Sequence, residues 1–438
     1  MKKKTVYLSC TLALFLLGAC TTKKEETTKT EESTTVTSST ATEEITILSK
    51  GNFYEPNYQA LNQLILDNGD KSSDYDEKNK PYAVFDWDNT TIINDIGEAV
   101  FTYQIANLRF KMTPDELYNA LKMNIPTDDF SEDWQNSAGE SLNIDKMAED
   151  IKASYTVIYD AYTEFAGEQS LEEVKKTEEY LDFAAKLRYL YEAIGDSFSS
   201  DISYPWVTYL FTGMTSEEVQ SLSKEVIDQA STQELRKVTW KSSTSLETKA
   251  GQIEISFKEG IRLVPEMQDL YQKLQENGIE VYVCSASYID VIIPFATDES
   301  YGYGVPEEHV YAMQLQKADN VIQSQLNEEF FQTQGEGKTQ TIKKFIAPNH
   351  GDAGPILVAG DSNGDVAMLS DFPEMKVGLI FNRGKDGGIG ELCQTAAKTE
   401  GTAEQRYYLQ GRDENLGTLI PETETMLLGA DELTVTEK

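Results

Sequence analysis

Residues 82–85, Tyr-Ala-Val-Phe, are an apolar, partly β-branched run introduced by Pro81, and the run ends in two aspartates one residue apart, Asp86 and Asp88. Such a run reads as a short buried strand. On an extended backbone, residues i and i+2 face the same side. The two carboxylates therefore repel unless a cation or a shared proton stands between them. That pairing suits a hard metal ion together with a nucleophile or an acid–base pair. Read alone, the same residues also describe a strand followed by an Asp-Asn turn. Later stretches of the chain decide between the two.

After residue 255 helix and strand alternate. Residues 265–277 form an amphipathic helix closed by Gly278. Residues 279–284 are a strand that runs into Ser285-Ala286-Ser287, and residues 339–345 are helical. Residues 356–359 are a strand followed by Gly360-Asp361-Ser362-Asn363-Gly364-Asp365, and residues 377–381 are a further strand. This alternation implies an α/β protein with a Rossmann-like, doubly wound parallel sheet, whose functional groups gather at the carboxyl ends of the strands. Residues 96–249 read as helical instead. Thr113-Pro114-Asp115-Glu116 and Thr215-Ser216-Glu217-Glu218 are helix starts. Ser170-Leu171-Glu172-Glu173 starts a helix that continues through Leu181, Ala184, Leu187 and Leu190. Aromatic residues are frequent here, and most of them belong to a core.

Four polar stretches follow or flank strands of one sheet: Asp86-x-Asp88, Ser285, Lys338 and Gly360-Asp361-x-x-x-Asp365. In this order they resemble the motifs of the haloacid dehalogenase superfamily, over residues 80–94 and 255–382. The resemblance implies that Asp86 is a nucleophile forming an aspartyl-phosphate and that Asp88 is the general acid/base. Ser285 and Lys338 would hold the transferring phosphoryl group. Asp361 would bind Mg²⁺ with Asp86 and the backbone carbonyl of Asp88, and Asp365 would support the metal shell. Mg²⁺ and Lys338 would offset the repulsion between a carboxylate and a phosphate dianion. Asp88 separates the chain from members that lack a second acid, which points to phosphomonoester hydrolysis.

The helical stretch between the first two motifs resembles the mobile cap of phosphoserine-phosphatase-like and phosphorylcholine-phosphatase-like members. The expected division is therefore a catalytic core of residues 46–94 and 255–438 with a helical cap of residues 95–254. Asp95 stands nine residues after Asp86, where phosphoserine phosphatases carry a Glu that pairs with the substrate's amino group. Glu98 lies one turn on. Ala286 and Asn363 complete the expected substrate contacts, and Tyr204, Trp206 and Trp87 are candidates for cation–π contact with a trimethylammonium head. Gly364 and Ser285-Ala286-Ser287 depart from the phosphoserine phosphatase pattern, so the resemblance does not by itself imply serine specificity, and the substrate is expected to be of phosphoserine or phosphocholine type. The expected substrate is a small, amino-bearing phosphomonoester. The alternatives are a surface binding protein without chemistry, and a phosphomutase or phosphotransferase.

The N-terminus reads as a targeting segment. Three lysines precede an apolar run too short to span a bilayer, and Leu17-Gly18-Ala19-Cys20 closes it. This resembles a bacterial lipobox, which implies cleavage of residues 1–19 and lipidation of Cys20. The protein would then be an extracytoplasmic lipoprotein that meets the membrane only through its N-terminal lipid. Residues 20–45, rich in Thr, Ser, Glu and Lys, read as a disordered tether. The formal charge of −36 argues against nucleic acid as a partner. Cys284 reads as a small buried residue. His309 and His350 have no neighbours at zinc spacing. Gly335-Glu336-Gly337-Lys338-Thr339 lacks the first glycine of a P-loop, and the acidic run at Asp361 lacks the turn glycine and final Glu of an EF-hand.

Overall fold

The central strand Tyr82–Phe85 is buried along its whole length. Its side chains divide with period two between the faces of the sheet. Ala83 and Phe85 join a large core with Leu61, Ile65, Met267 and Leu270 from helices Glu55–Asn68 and Pro265–Glu276. Tyr82 and Val84 join a second core with Ile346, Met368, Ile389 and Cys393. Both faces are covered, which explains the unbroken apolar run. In a computed structural model of the chain, residues 46–434 and 436 are described. The expected signal peptide, lipidation at Cys20 and tether lie outside the described residues.

The sheet has seven strands. From one edge they run Thr418–Ile420, Tyr407–Asp413, Val377–Phe381, Leu357–Gly360, Tyr82–Phe85, Glu280–Tyr288 and Val310–Met313. All neighbours pair in parallel except the outermost two, Tyr407–Asp413 and Thr418–Ile420. Parallel neighbours with helices on both faces make this the expected doubly wound α/β sheet. Gly278 takes φ +77° one residue beyond the expected helix, now bounded as Pro265–Glu276. The helix at Lys338 runs from Glu336 to Thr341 and continues as a π-helical turn, Ile342–Ile346.

A large segment leaves the core and returns to it through a two-stranded ribbon, Ile92–Ile93 paired with Arg262–Leu263. Between these ends lie seven α-helices, the longest being Ile144–Ala161 and Glu178–Ser197. Thr113 and Thr215 each start a helix with a reciprocal capping box, as their sequences specify. The helix expected from Ser170 is broken. It stops at Val174, and Thr177 caps a new helix by accepting the Tyr180 amide. Leu181, on the new helix, is exposed. The helical reading to residue 249 also misses a hairpin, Arg236–Lys241 paired with Glu254–Glu259. Residue 254 is therefore the first residue of a strand, and the segment closes at the ribbon beyond it. Among the described residues no helix is long and apolar enough to cross a membrane.

Candidate active site

Strand register assembles the site. Phe85 lies beside Ala359 on one side and Val283 on the other, so the segments that follow leave the sheet at one level. The Asp86 amide still donates to the Ala359 carbonyl, at 3.0 Å. Beyond it the chain turns. Thr91 Oγ1 donates to the Asp86 carbonyl at 2.7 Å. Asn89 takes φ +62°, a left-handed conformation that Asn tolerates better than most residues. Thr90 Oγ1 sits 3.0 Å from both Asp86 Oδ2 and Asp361 Oδ1, joining the first and last motifs.

Lys338 Nζ donates to Asp86 Oδ1 at 2.5 Å and to Asp365 Oδ1 at 2.7 Å. Asp365 Oδ2 accepts the amides of Asp361 and Ser362 and the Ser362 hydroxyl, each at 3.0 Å. Arg383 Nη1 donates to Asp361 Oδ2 at 2.7 Å. Asp86, Asp361, Asp365 and Lys338 are all buried. Burial, then the negative charge of Asp365, pushes the Asp86 carboxyl well above its ordinary range, against the pull of Lys338. Burial also raises Asp361, but Arg383 and Lys385 outweigh it and hold that group below normal. Burial lowers Lys338, yet Asp365 and Asp86 more than reverse this and keep its ammonium charged.

One oxygen from each of Asp86, Asp361 and Asp365 lies within 4.8 Å of the others. An all-oxygen set without thiol or imidazole fits a hard divalent cation. Asp365 accepts four hydrogen bonds, against two each for Asp86 and Asp361, so it supports such a site more than it opens it. Asp86 and Asp361 face each other across Thr90 and are the better donors.

Asp88 stands apart from this cluster. Its Oδ1 accepts the Ile96 amide at 2.7 Å, and its Oδ2 accepts the Ser287 hydroxyl at 2.6 Å. Burial pushes its carboxyl up to about 7; the Ser287 hydrogen bond opposes this and Asp86 adds to it. A carboxyl held there both gives and takes a proton near neutrality.

These groups floor a cavity of about 150 Å³, enough for on the order of five water molecules at ~30 Å³ each. Asp95 and Glu98 form part of its wall, with the rings of Phe101, Tyr191, Tyr204 and Phe211. Asp95 also caps helix Ile96–Ala106, accepting the Glu98 amide at 2.8 Å. Burial, then Asp88 and Glu98, raises the Asp95 carboxyl well above its usual range. Arg188 Nη2 holds Glu98 at 2.7 Å.

Several expected contacts fall elsewhere. Asn363 is exposed, and its side chain accepts the Ile389 amide and donates to the Asp386 carbonyl; it caps helix Gly388–Thr399 and does not face the cavity. Trp87 is packed between Phe295 and Tyr303, and Trp206 donates to the Leu121 carbonyl within the core, so neither reaches a ligand. Tyr204 does line the cavity, as does Ala286. Ser285 is fully buried and its hydroxyl accepts the Ser287 amide at 3.1 Å. Of these two serines it is Ser287 that lines the cavity, as Ser362 also does. Sequence reasoning missed Arg383, although it follows strand Val377–Phe381 at the same carboxyl edge that holds the other motifs.

The family model described as haloacid dehalogenase-like hydrolase matches residues 214–370. A phosphorylcholine phosphatase from Pseudomonas aeruginosa is 26% identical over 255 residues, which cover 58% of this chain and 52% of that protein. The chain thus spans about half the length of that curated relative. Among solved structures, a protein of unknown function from Anaerococcus prevotii shares 36% identity with a TM-score of 0.82, covering 87% of this chain and 98% of its own.

Proposed function

We propose that this chain, whose residues 214–370 match the haloacid dehalogenase-like hydrolase model, hydrolyses a small phosphomonoester whose alcohol carries a positive charge. The observation that carries this reading is the pairing of two unlike carboxyls on one short turn. Asp86 is clamped by Lys338 beside a cation-ready cluster, and Asp88 is held by Ser287 with its carboxyl raised to about 7.

In the proposed reaction, Asp86 attacks phosphorus and Asp88 gives its proton to the departing alkoxide. The ester P–O bond breaks as the acyl-phosphate on Asp86 forms. Asp88, now a carboxylate, takes a proton from water, which attacks the acyl-phosphate and releases inorganic phosphate. Lys338 and Arg383 face the charge that accumulates. A bound Mg²⁺, held by Asp86 and Asp361 with Asp365 behind them, would supply the remaining neutralisation. The alcohol would lie against Asp95, Glu98 and Tyr204. Carboxylates and aromatic faces in one wall favour an ammonium group, primary or quaternary. That agrees with the name of the Pseudomonas aeruginosa relative.

The test is phosphate release from phosphocholine, phosphoethanolamine, phosphoserine, sugar phosphates and an aryl phosphate, with Mg²⁺ and with EDTA. The expected outcome is Mg²⁺-dependent release, greatest with the amino-bearing esters. Asp86→Asn should retain less than about one per cent of it, because an amide forms no acyl-phosphate. Release that persists in EDTA or in Asp86→Asn would overturn the mechanism, and a preference for sugar phosphates would overturn the substrate class.

A further inference from the structure

Arg412 lies on strand Tyr407–Asp413, which is separated from the nucleophile strand by two others. Its side chain nevertheless crosses to the loop after Asp88. Nη1 donates to the Asn89 carbonyl at 2.8 Å and Nη2 to Asn89 Oδ1 at 3.0 Å. Nη2 also donates to Glu414 Oε1 at 2.5 Å. The side chains of Arg412 and Glu414 are 0% and 1% exposed. The other oxygen of Glu414 accepts Lys258 Nζ at 2.6 Å and the Leu428 amide at 3.1 Å. Lys258 belongs to strand Glu254–Glu259 of the inserted segment.

A second path joins the same two places. The Asn89 amide donates to the Asn94 carbonyl at 3.0 Å, and Asn94 Nδ2 donates to the Gly260 carbonyl at 2.8 Å. Gly260 is two residues past Lys258. Asn89 is thus gripped at its amide, its carbonyl and its side chain, by a ring that closes on one end of the inserted hairpin.

Stability alone does not account for this ring. A buried ion pair is often no more stabilising than apolar side chains of the same volume, because desolvation offsets the attraction. Among the described residues the Arg412 Nε finds no partner, which adds to that cost. What the guanidinium supplies is a planar fork that fixes two acceptors of one residue at once, which an ammonium does not match. The residue so fixed holds a left-handed φ of +62°, a conformation that persists where its surroundings over-determine it. Asn89 follows Asp88 directly and precedes Thr90, which bridges Asp86 and Asp361.

We infer that Arg412 and Glu414 are positioning residues, which hold the Asp86–Asp88 turn through Asn89 and set it in register with the inserted segment through Lys258. This rests on the proposed roles of Asp86 and Asp88 for its effect on turnover, but not for its effect on the turn.

The experiment combines hydrogen–deuterium exchange of residues 86–94 with steady-state kinetics on an aryl phosphate, for Arg412→Lys and Lys258→Met. Lys258 is partly exposed, so Lys258→Met folds even if Arg412→Lys does not. Arg412→Lys should raise exchange in residues 86–94 about tenfold and lower kcat about tenfold, with KM changed less than about threefold. Lys258→Met, whose ammonium pairs with Glu414 and not with those residues, should move both readings the same way by about threefold. The double variant should be no worse than Arg412→Lys alone, since both act through one chain of contacts. Exchange in residues 86–94 equal to wild type in both variants, with only a lower melting temperature, would overturn the inference. A wild type inactive on every phosphomonoester, with exchange responding as stated, would overturn the proposed function and leave the positioning of the turn supported.

Discussion

At the scale of single residues, Asp95 performs two tasks that are normally alternatives. It caps a helix, and it lines the cavity wall. Its raised carboxyl records the crowding of acids around it, first through burial and then through Asp88 and Glu98. A substrate cation relieves that crowding, so recognition and neutralisation coincide. The two tasks separate in Asp95→Asn, because Asn caps helices as well as Asp does. That variant should keep its fold and raise KM for phosphocholine about tenfold, while KM for an uncharged aryl phosphate stays within about threefold. An equal rise for both substrates in the same assay would show that Asp95 shapes the cavity without reading charge.

At the scale of elements, Lys186 fastens the inserted helices together. It lies on helix Glu178–Ser197 with its side chain 0% exposed, and pairs with Asp150 at 2.8 Å and Asp182 at 2.7 Å. Asp150 in turn accepts the amides of Lys249 and Ala250, which brings in the return of the hairpin. Lys186→Met strands two buried carboxylates and should cost about 3–5 kcal/mol in urea unfolding at pH 8. Burial already raises Asp182 in spite of Lys186. Without the lysine its folded-state pKa rises further above the unfolded value. The penalty is then full above the folded pKa and fades as pH falls towards the unfolded one. The gap to wild type should therefore narrow between pH 8 and pH 5, and a gap that is flat with pH would show that lost packing, not lost charge, sets the cost. Which elements were legible follows from how local their signals are. Strands Tyr82–Phe85 and Val377–Phe381 and the Thr113 and Thr215 caps are written in a few adjacent residues. The break before Thr177 was hidden because the residues at 175–177 carry no Gly or Pro. The hairpin Arg236–Lys241 was hidden because its alternation of polar and apolar residues is mostly exposed and depends on its partner strand. Arg412 and Asn89 meet across the fold, and no spacing in the sequence announces them.

At the scale of the whole molecule, the acids outnumber the basic residues by 74 to 38, and removing residues 1–19 takes three lysines and brings the formal charge from −36 to −39. Such a surface keeps a protein soluble and off anionic bilayers. Retention at a membrane would then depend on the lipid proposed at Cys20. Cys20→Ala should move the protein from the membrane to the soluble fraction with kcat unchanged, and undiminished membrane retention would remove the lipid anchor from the account. The order of strands has a consequence for how such a chain acquires its form. The central strand Tyr82–Phe85 pairs with Glu280–Tyr288 and Leu357–Gly360, both of them far later in the chain. During synthesis it has no partner until the entire inserted segment has followed. That segment is rich in local, self-capped helices and can condense first, bringing its two ends together at the ribbon. The stretch that carries Asp86 and Asp88 thus stays an exposed apolar template until residues 280–288 have been made, and until then is a natural client for whatever holds unfolded chains apart.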